Sequence, residues 1–147
     1  MTGPQLVTVG YEGRSADEIV AELCAAEVTV LIDVRLTPLS RKPGLSKRRL
    51  SQQLYMAGIR YVHLPSLGNP RDNRDPFRAS DPAALERFRG ILRAPEGAAG
   101  VEEVAELVED TIVALLCFER ESYRCHRQLI ADRLHELYPL LTVRHVY

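Results

Sequence analysis

The sequence predicts one α/β domain over residues 1–147: an open, mostly parallel five-stranded sheet with helices on both faces, a Rossmann-like three-layer sandwich. Three observations predict it. Short apolar, β-branched runs alternate with helix-periodic stretches almost throughout the chain. No internal repeat, low-complexity tract or linker divides it. Its 147 residues are the usual size of one compact domain, and 46% hydrophobic with 27% charged residues is an ordinary globular composition.

The elements follow in order. Gln5 to Val9 reads as a first strand closed by Gly10, and Gly10-Tyr11-Glu12-Gly13-Arg14 as a turn. Ser15 with Glu18 makes a capping box for a helix whose apolar stripe is Ile19, Leu23 and the alanines at 25 and 26. Cys24 falls beside that stripe and is expected in the core. Val28 to Val34 is nearly all apolar, as in a strand buried on both faces.

Pro38, Pro43 and Gly44 exclude regular structure from Leu36 to Leu45. Ser46 is expected to cap a helix reaching Ala57, which Gly58 ends. Ile59 to His63 is a third strand, and Pro65 to Asp81 reads as a long loop, a feature often tied to function. Asp81 and Pro82 start a helix to about Arg93, and another follows the Pro95-Glu96-Gly97 break. Thr111 to Phe118 is a fourth strand. Ser122 is expected to cap a helix to Tyr138, and Thr142 to Val146 is the last strand. The expected strand order is 3-2-1-4-5.

If the strands are parallel, their carboxyl ends share one edge, where open α/β sheets bind ligands. That edge would receive Tyr11, Glu12 and Arg14 from the first strand. Asp33 and Arg35, with Arg41 and Lys42 in the following loop, would come from the second, and His63, Asn69 and Arg71 from the third. Cys117, Glu119, Cys125, His126 and Arg127 would follow the fourth. The opposite edge gets mainly helix ends with Gly, Pro and Ala, and this imbalance marks the candidate site.

The residue types suggest roles. A cysteine at a helix start beside histidine and arginine has the surroundings of an activated thiol, so Cys125 is a candidate nucleophile. Glu12, Asp33, Glu119 and His126 are candidate acids, bases or nucleophiles. Tyr11, Arg14, Arg35, Arg41, Lys42, His63, Asn69 and Arg127 are candidates for holding substrate or anion. From Val34 to Arg60 there are seven basic residues and no acidic one, in a chain of net charge −1. Such a block suits a local anion site or equally a solvated cationic face. Cys117, inside an apolar strand, reads as a packing residue. Many of the carboxylates would serve equally well as ion-pair partners of the arginines.

Several familiar patterns fail. Counting Cys, five residues, Arg from Cys117 lands on Tyr123, with Arg124 one position too far for a phosphatase loop. No two cysteines are separated by two residues, and Gly10 and Gly13 are too close for a dinucleotide fingerprint. Cys117, Cys125, His126 and Glu119 are all suitable zinc donors, but their spacing matches no common zinc module; neither a metal nor another cofactor is expected. Three widely spaced cysteines make no disulfide framework, and no signal peptide or membrane-length apolar run is apparent. The expected location is the cytoplasm, with no membrane partner.

Four ordered motifs carry a family resemblance: Val9-Gly10-Tyr11-Glu12-Gly13-Arg14-Ser15; Asp33-Val34-Arg35 with Pro38 and Ser40-Arg41-Lys42-Pro43-Gly44; Tyr61-Val62-His63-Leu64-Pro65 with Leu67-Gly68-Asn69-Pro70; and Leu116-Cys117-Phe118-Glu119 with Cys125-His126-Arg127. Together they resemble the family called domain of unknown function 488, with Leu45 where an aromatic would be more typical. The resemblance implies a bacterial or archaeal cytoplasmic α/β protein and implies no particular reaction. The residues themselves favour a small enzyme acting on a phosphate-bearing substrate, a nucleotide or nucleic-acid end, as a hydrolase or transferase. Two other classes stay open: a non-catalytic nucleotide or nucleic-acid binding module, and a thiol-dependent redox or sulfur-transfer protein using Cys125. Aromatics at 6% with no Trp disfavour single-strand binding by base stacking.

Overall fold

The computed structural model describes residues 3–146. Five strands, β1 (Gln5–Gly10), β2 (Val30–Asp33), β3 (Arg60–His63), β4 (Val113–Cys117) and β5 (Thr142–Val146), form one sheet in which every pairing is parallel. Six helices accompany them: α1 (Ala16–Ala25), α2 (Lys47–Met56), α3 (Arg71–Arg78), α4 (Pro82–Arg93), α5 (Pro95–Asp110) and α6 (Arg127–Leu137). The α/β three-layer architecture is the one expected. The strand order is β3-β2-β4-β1-β5, so the expected exchange of positions between β1 and β4 is a correction.

The physical reason lies in burial. Every residue of β2 and β4, and all of β1 after Gln5, is buried, whereas β3 and β5 keep half-exposed or exposed positions such as Arg60 and Arg144. Apolar strands occupy the interior and charged ones the edges. β4 (Val113–Cys117) carries no polar side chain and takes the centre, whereas β1 carries Gln5 and Thr8 and lies one place nearer the edge.

The two faces of β4 build two cores. Val113, Leu115 and Cys117 face α4, α5 and α6 through Phe88, Val104 and Ile130. Ala114 and Leu116 face α1 and α2 through Ile19, Leu23, Leu50 and Leu54. This is the period-two alternation of a pleated strand.

Local signals explain most helix ends. Ser15 accepts from the Glu18 amide while Glu18 Oε1 accepts from the Ser15 amide, completing the capping box. Asp81 caps α4 by accepting from the Ala83 amide at 3.0 Å. Ser46 precedes α2 without a capping hydrogen bond; its hydroxyl instead joins the backbone of Ser40 and folds the preceding loop. Ser122 does not cap α6 either. It opens a single 3₁₀ turn (Ser122–Arg124), and α6 starts after His126.

The expected loop from Pro65 to Asp81 is also corrected: it holds a 3₁₀ turn (Pro65–Leu67) and α3. Cys24 points to solvent, contrary to its expected place in the core. No described helix is long and apolar enough to cross a membrane.

Candidate functional site

Parallel strands bring their carboxyl ends to one edge, and a cleft of about 90 Å³ opens there. Its floor contains Cys117, Cys125, His126 and Glu119. Its rim carries Arg74, Arg78 and Arg124, and its walls include Tyr11, Arg35, Asn69 and Phe118.

Close approach of backbone shapes the floor. A Cβ on Gly10 would lie 1.7 Å from the Glu119 carbonyl oxygen, so only glycine lets β1 pass against the segment leaving β4. The β1–β4 pairing then continues beyond both strands: the Tyr11 amide donates to the Cys117 carbonyl and the Glu12 amide to that of Phe118. This fixes the turn from Phe118 to Arg124 that carries Glu119 over the floor.

Cys117 ends β4, and Cys125 immediately precedes His126, the residue before the first turn of α6. Their Cα atoms are 7.4 Å apart, and their sulfurs meet as a disulfide. Cys117 is therefore not the isolated packing residue expected. The buried Arg127 lies beneath the floor. Its Nη1 donates to the Cys117 sulfur at 3.0 Å and to the Glu119 carbonyl, while its amide donates toward the Cys125 sulfur at 3.5 Å.

His126 Nε2 donates to the Val34 carbonyl at 2.7 Å, which leaves Nδ1 toward the Cys125 sulfur at 3.5 Å. Phe88 meets the ring edge-on. Burial, helped by the nearby Arg127 and Arg74 charges, pushes the His126 pKa down to about 4 despite the Val34 hydrogen bond and Glu119. The imidazole is neutral at physiological pH.

The other candidates divide into two groups. Tyr11, Arg35, Asn69, Glu119, Cys125 and His126 line the cleft. Glu12, Asp33, Arg14, Arg41, Lys42, His63 and Arg127 do not. Most of these are engaged elsewhere. Asp33 is fully buried beneath Arg35 and accepts from its Nε at 2.9 Å and Nη2 at 2.7 Å, and from Tyr61 Oη at 2.5 Å. Burial opposes the Arg35 charge, but the Asp33 hydrogen bonds and charge outweigh it and raise the pKa.

Arg14 pairs with Glu22. Lys42 donates to the carbonyls of Tyr11 and Arg14, tying its loop to the turn after β1. His63 donates to the Arg35 carbonyl, and Glu12 accepts from the Arg120 amide. Arg41 is exposed, away from the cleft.

Sequence reasoning missed the rim. Arg74 and Arg78 are four residues apart, the spacing of one helical face, but the surrounding Pro, Asn and Asp made the segment read as loop. Arg78 Nε donates to Glu119 Oε1 at 2.8 Å. Arg124 has no carboxylate partner among the described residues. Three guanidinium groups over one carboxylate make the mouth cationic, a setting for an anion.

The fold and cleft define a single-sheet α/β protein with a paired-cysteine site at the carboxyl edge of the sheet. Over residues 15–134 the chain matches the family model described as Domain of unknown function DUF488, and it belongs to that family. The matched span runs from the start of α1 through most of α6, while β1, the turn to Arg14 and β5 lie outside it. No curated protein and no solved structure matches the chain.

Proposed function

We propose that this protein is a thiol-dependent enzyme that exchanges disulfide bonds with a small anionic substrate. The observation that carries this reading is the meeting of Cys117 and Cys125 on the floor of a cleft rimmed by three arginines. The Cys125 thiolate, near the first amides of α6, attacks one sulfur of a substrate disulfide and releases one substrate thiolate. The Cys117 thiolate then attacks Cys125 Sγ in the mixed disulfide. The second substrate thiolate leaves, and the protein retains the two-electron oxidation as its own disulfide. Arg74, Arg78 and Arg124 hold the substrate's carboxylates, and Arg127 steadies the sulfur of Cys117.

The reduced protein, carrying Cys24→Ser to silence the exposed thiol, tests this against oxidised glutathione, a small acidic disulfide. The expected result is loss of two hydrogens in the peptides holding Cys117 and Cys125, and a trapped glutathione adduct in Cys117→Ser. Arg74→Ala with Arg78→Ala should slow exchange with the acidic disulfide while leaving a neutral disulfide's rate unchanged. Absence of both exchange and adduct from the folded protein overturns the proposal.

A second reading uses the same rim for a phosphate-bearing substrate such as a nucleotide. Arg124, with no carboxylate partner among the described residues, favours it, since such an arginine suits phosphate oxygens. Nucleotide binding that is lost in Arg124→Ala but insensitive to alkylation of the cleft thiols would favour that reading.

A further inference from the structure

We infer that the reduced form of this site binds one thiophilic divalent cation, of which zinc is the type, through Cys117 Sγ, Cys125 Sγ and His126 Nδ1. This inference rests only on the reduced pair of thiols, whether or not they exchange with a substrate. The three donor atoms lie within 4.8 Å of one another, and all three residues are buried. Two thiolates and an imidazole suit zinc, cobalt and similar borderline-soft ions.

The arrangement around the donors supports a coordination role. His126 Nε2 donates to the Val34 carbonyl, so the ring proton is on Nε2 and the Nδ1 lone pair faces the sulfurs. A carbonyl on the far nitrogen is the usual means of fixing a histidine ligand's tautomer and orientation. The Phe88 edge contact restricts the same ring.

The cysteines tell the same story. Their Cα atoms, 7.4 Å apart, exceed the span of about 4.4–6.8 Å usual for a disulfide. A pair framed this widely suits sulfurs that converge on a common third atom. Arg127 donates hydrogen bonds to both sulfurs and so holds them on the same side of the floor.

Glu119 Oε1 accepts from Arg78 at 2.8 Å, while Oε2 lies 3.6 Å from the Cys117 sulfur. The fourth position faces this carboxylate and the cleft, so Glu119 Oε2, a water or an anionic ligand completes a tetrahedron. Binding releases the two thiol protons; oxidation of the pair by a small disulfide, which leaves as two thiols, removes both sulfur ligands. The same residues thus bind metal when reduced and release it when oxidised.

Cobalt(II) is the probe, added to the reduced Cys24→Ser protein under anaerobic conditions. The expected result is saturation at one equivalent, with thiolate-to-cobalt charge-transfer absorption and the intense visible bands of tetrahedral cobalt. Zinc should displace the cobalt and abolish both. The charge-transfer intensity should fall in Cys117→Ser and in Cys125→Ser, and the oxidised protein should show no bands. That last comparison needs no substitution in the site and stands even if a cysteine variant misfolds. Absence of charge-transfer bands from the reduced, folded protein overturns the inference, as does undiminished cobalt binding after oxidation. Glutathione exchange without cobalt binding removes the metal site and leaves the exchange reading; cobalt binding without exchange does the reverse.

Discussion

Arg35 shows how a strand-end residue can look like a ligand group and serve the fold. Asp33 accepts two guanidinium hydrogen bonds, one backbone amide and the Tyr61 hydroxyl, so the carboxylate is fully satisfied at zero exposure. Removing one partner of a buried ion pair leaves the other charge uncompensated. Asp33→Asn is therefore expected to cost about 3–5 kcal/mol in urea unfolding, whereas Asp33→Leu with Arg35→Met should cost less than that single change. Tyr61 carries a pH signature of the same cluster. Burial, then its hydrogen bond to Asp33 and that residue's charge, raise its pKa above the usual tyrosine value. The folded state therefore holds this proton more tightly than the unfolded state. The resulting stabilisation is fully present below about pH 10, the ordinary tyrosine value, and is lost as pH rises through the folded pKa. Ultraviolet titration should show one tyrosine ionising late, and Tyr61→Phe should remove that phase. Position alone marked Asp33 and Arg35 as candidates, and it does mark the right edge of the sheet. A residue's partners depend on loops that the sequence does not place: the Leu45 carbonyl, 2.6 Å from Arg35 Nη1, comes from one such loop.

Elements were legible where a short-range signal dominates. The capping box of α1 and the Asp81-Pro82 start of α4 stand as read, because each depends on neighbours within one helical turn. α3 was hidden, because Pro76 and a run of polar residues outweigh its one-sided contacts at Asn73 and Phe77. Its burial is tertiary: Asn73 Nδ2 donates to Asn69 Oδ1 and to the Ala84 carbonyl, both outside the helix. With α3 read as loop, two of the three rim arginines were lost from the candidate site. The pairing of Cys117 with Cys125 was hidden for a similar reason, since it depends on a 3₁₀ turn that reverses the chain between them. The β1–β4 crossing yields the sharpest test at this scale. Gly10→Ala forces a methyl group into the Glu119 backbone, so either β1 withdraws or the turn carrying Glu119 moves. A loss of several kcal/mol in urea unfolding is expected, together with altered thiol reactivity at the cleft. A variant as stable as the parent would show that the two segments do not touch.

At the level of the whole molecule, the fold class and the shared carboxyl edge were legible because alternation of strands and helices nearly dictates a parallel sheet. The edge positions of β3 and β5 match the expected order, and the exposed Arg60 and Arg144 on them fit an edge. The order of the central pair was not legible, because β1 and β4 are both buried short strands that differ only by Gln5 and Thr8 in β1. The observed order gives β4 neighbours on both sides and cores on both faces. Amide exchange in native conditions should accordingly be slowest in β4 and β1 and fastest in β3 and β5. Slowest exchange in β3 would contradict the observed order.

That order also bears on how the protein emerges from a ribosome. The first strand to be made pairs only with β4 and β5, and its nearest partner in sequence faces Leu6 from Val113. β2 and β3 can join as soon as Arg60 is clear, but β1 must stay without a sheet neighbour until the chain has grown past Val113. At elongation rates of about 5–20 residues per second, an apolar strand waits roughly 5–20 seconds in a form open to wrong partners. A nascent chain halted before β4 should therefore engage holdase chaperones through residues 5–10, and one extended through β4 should release them.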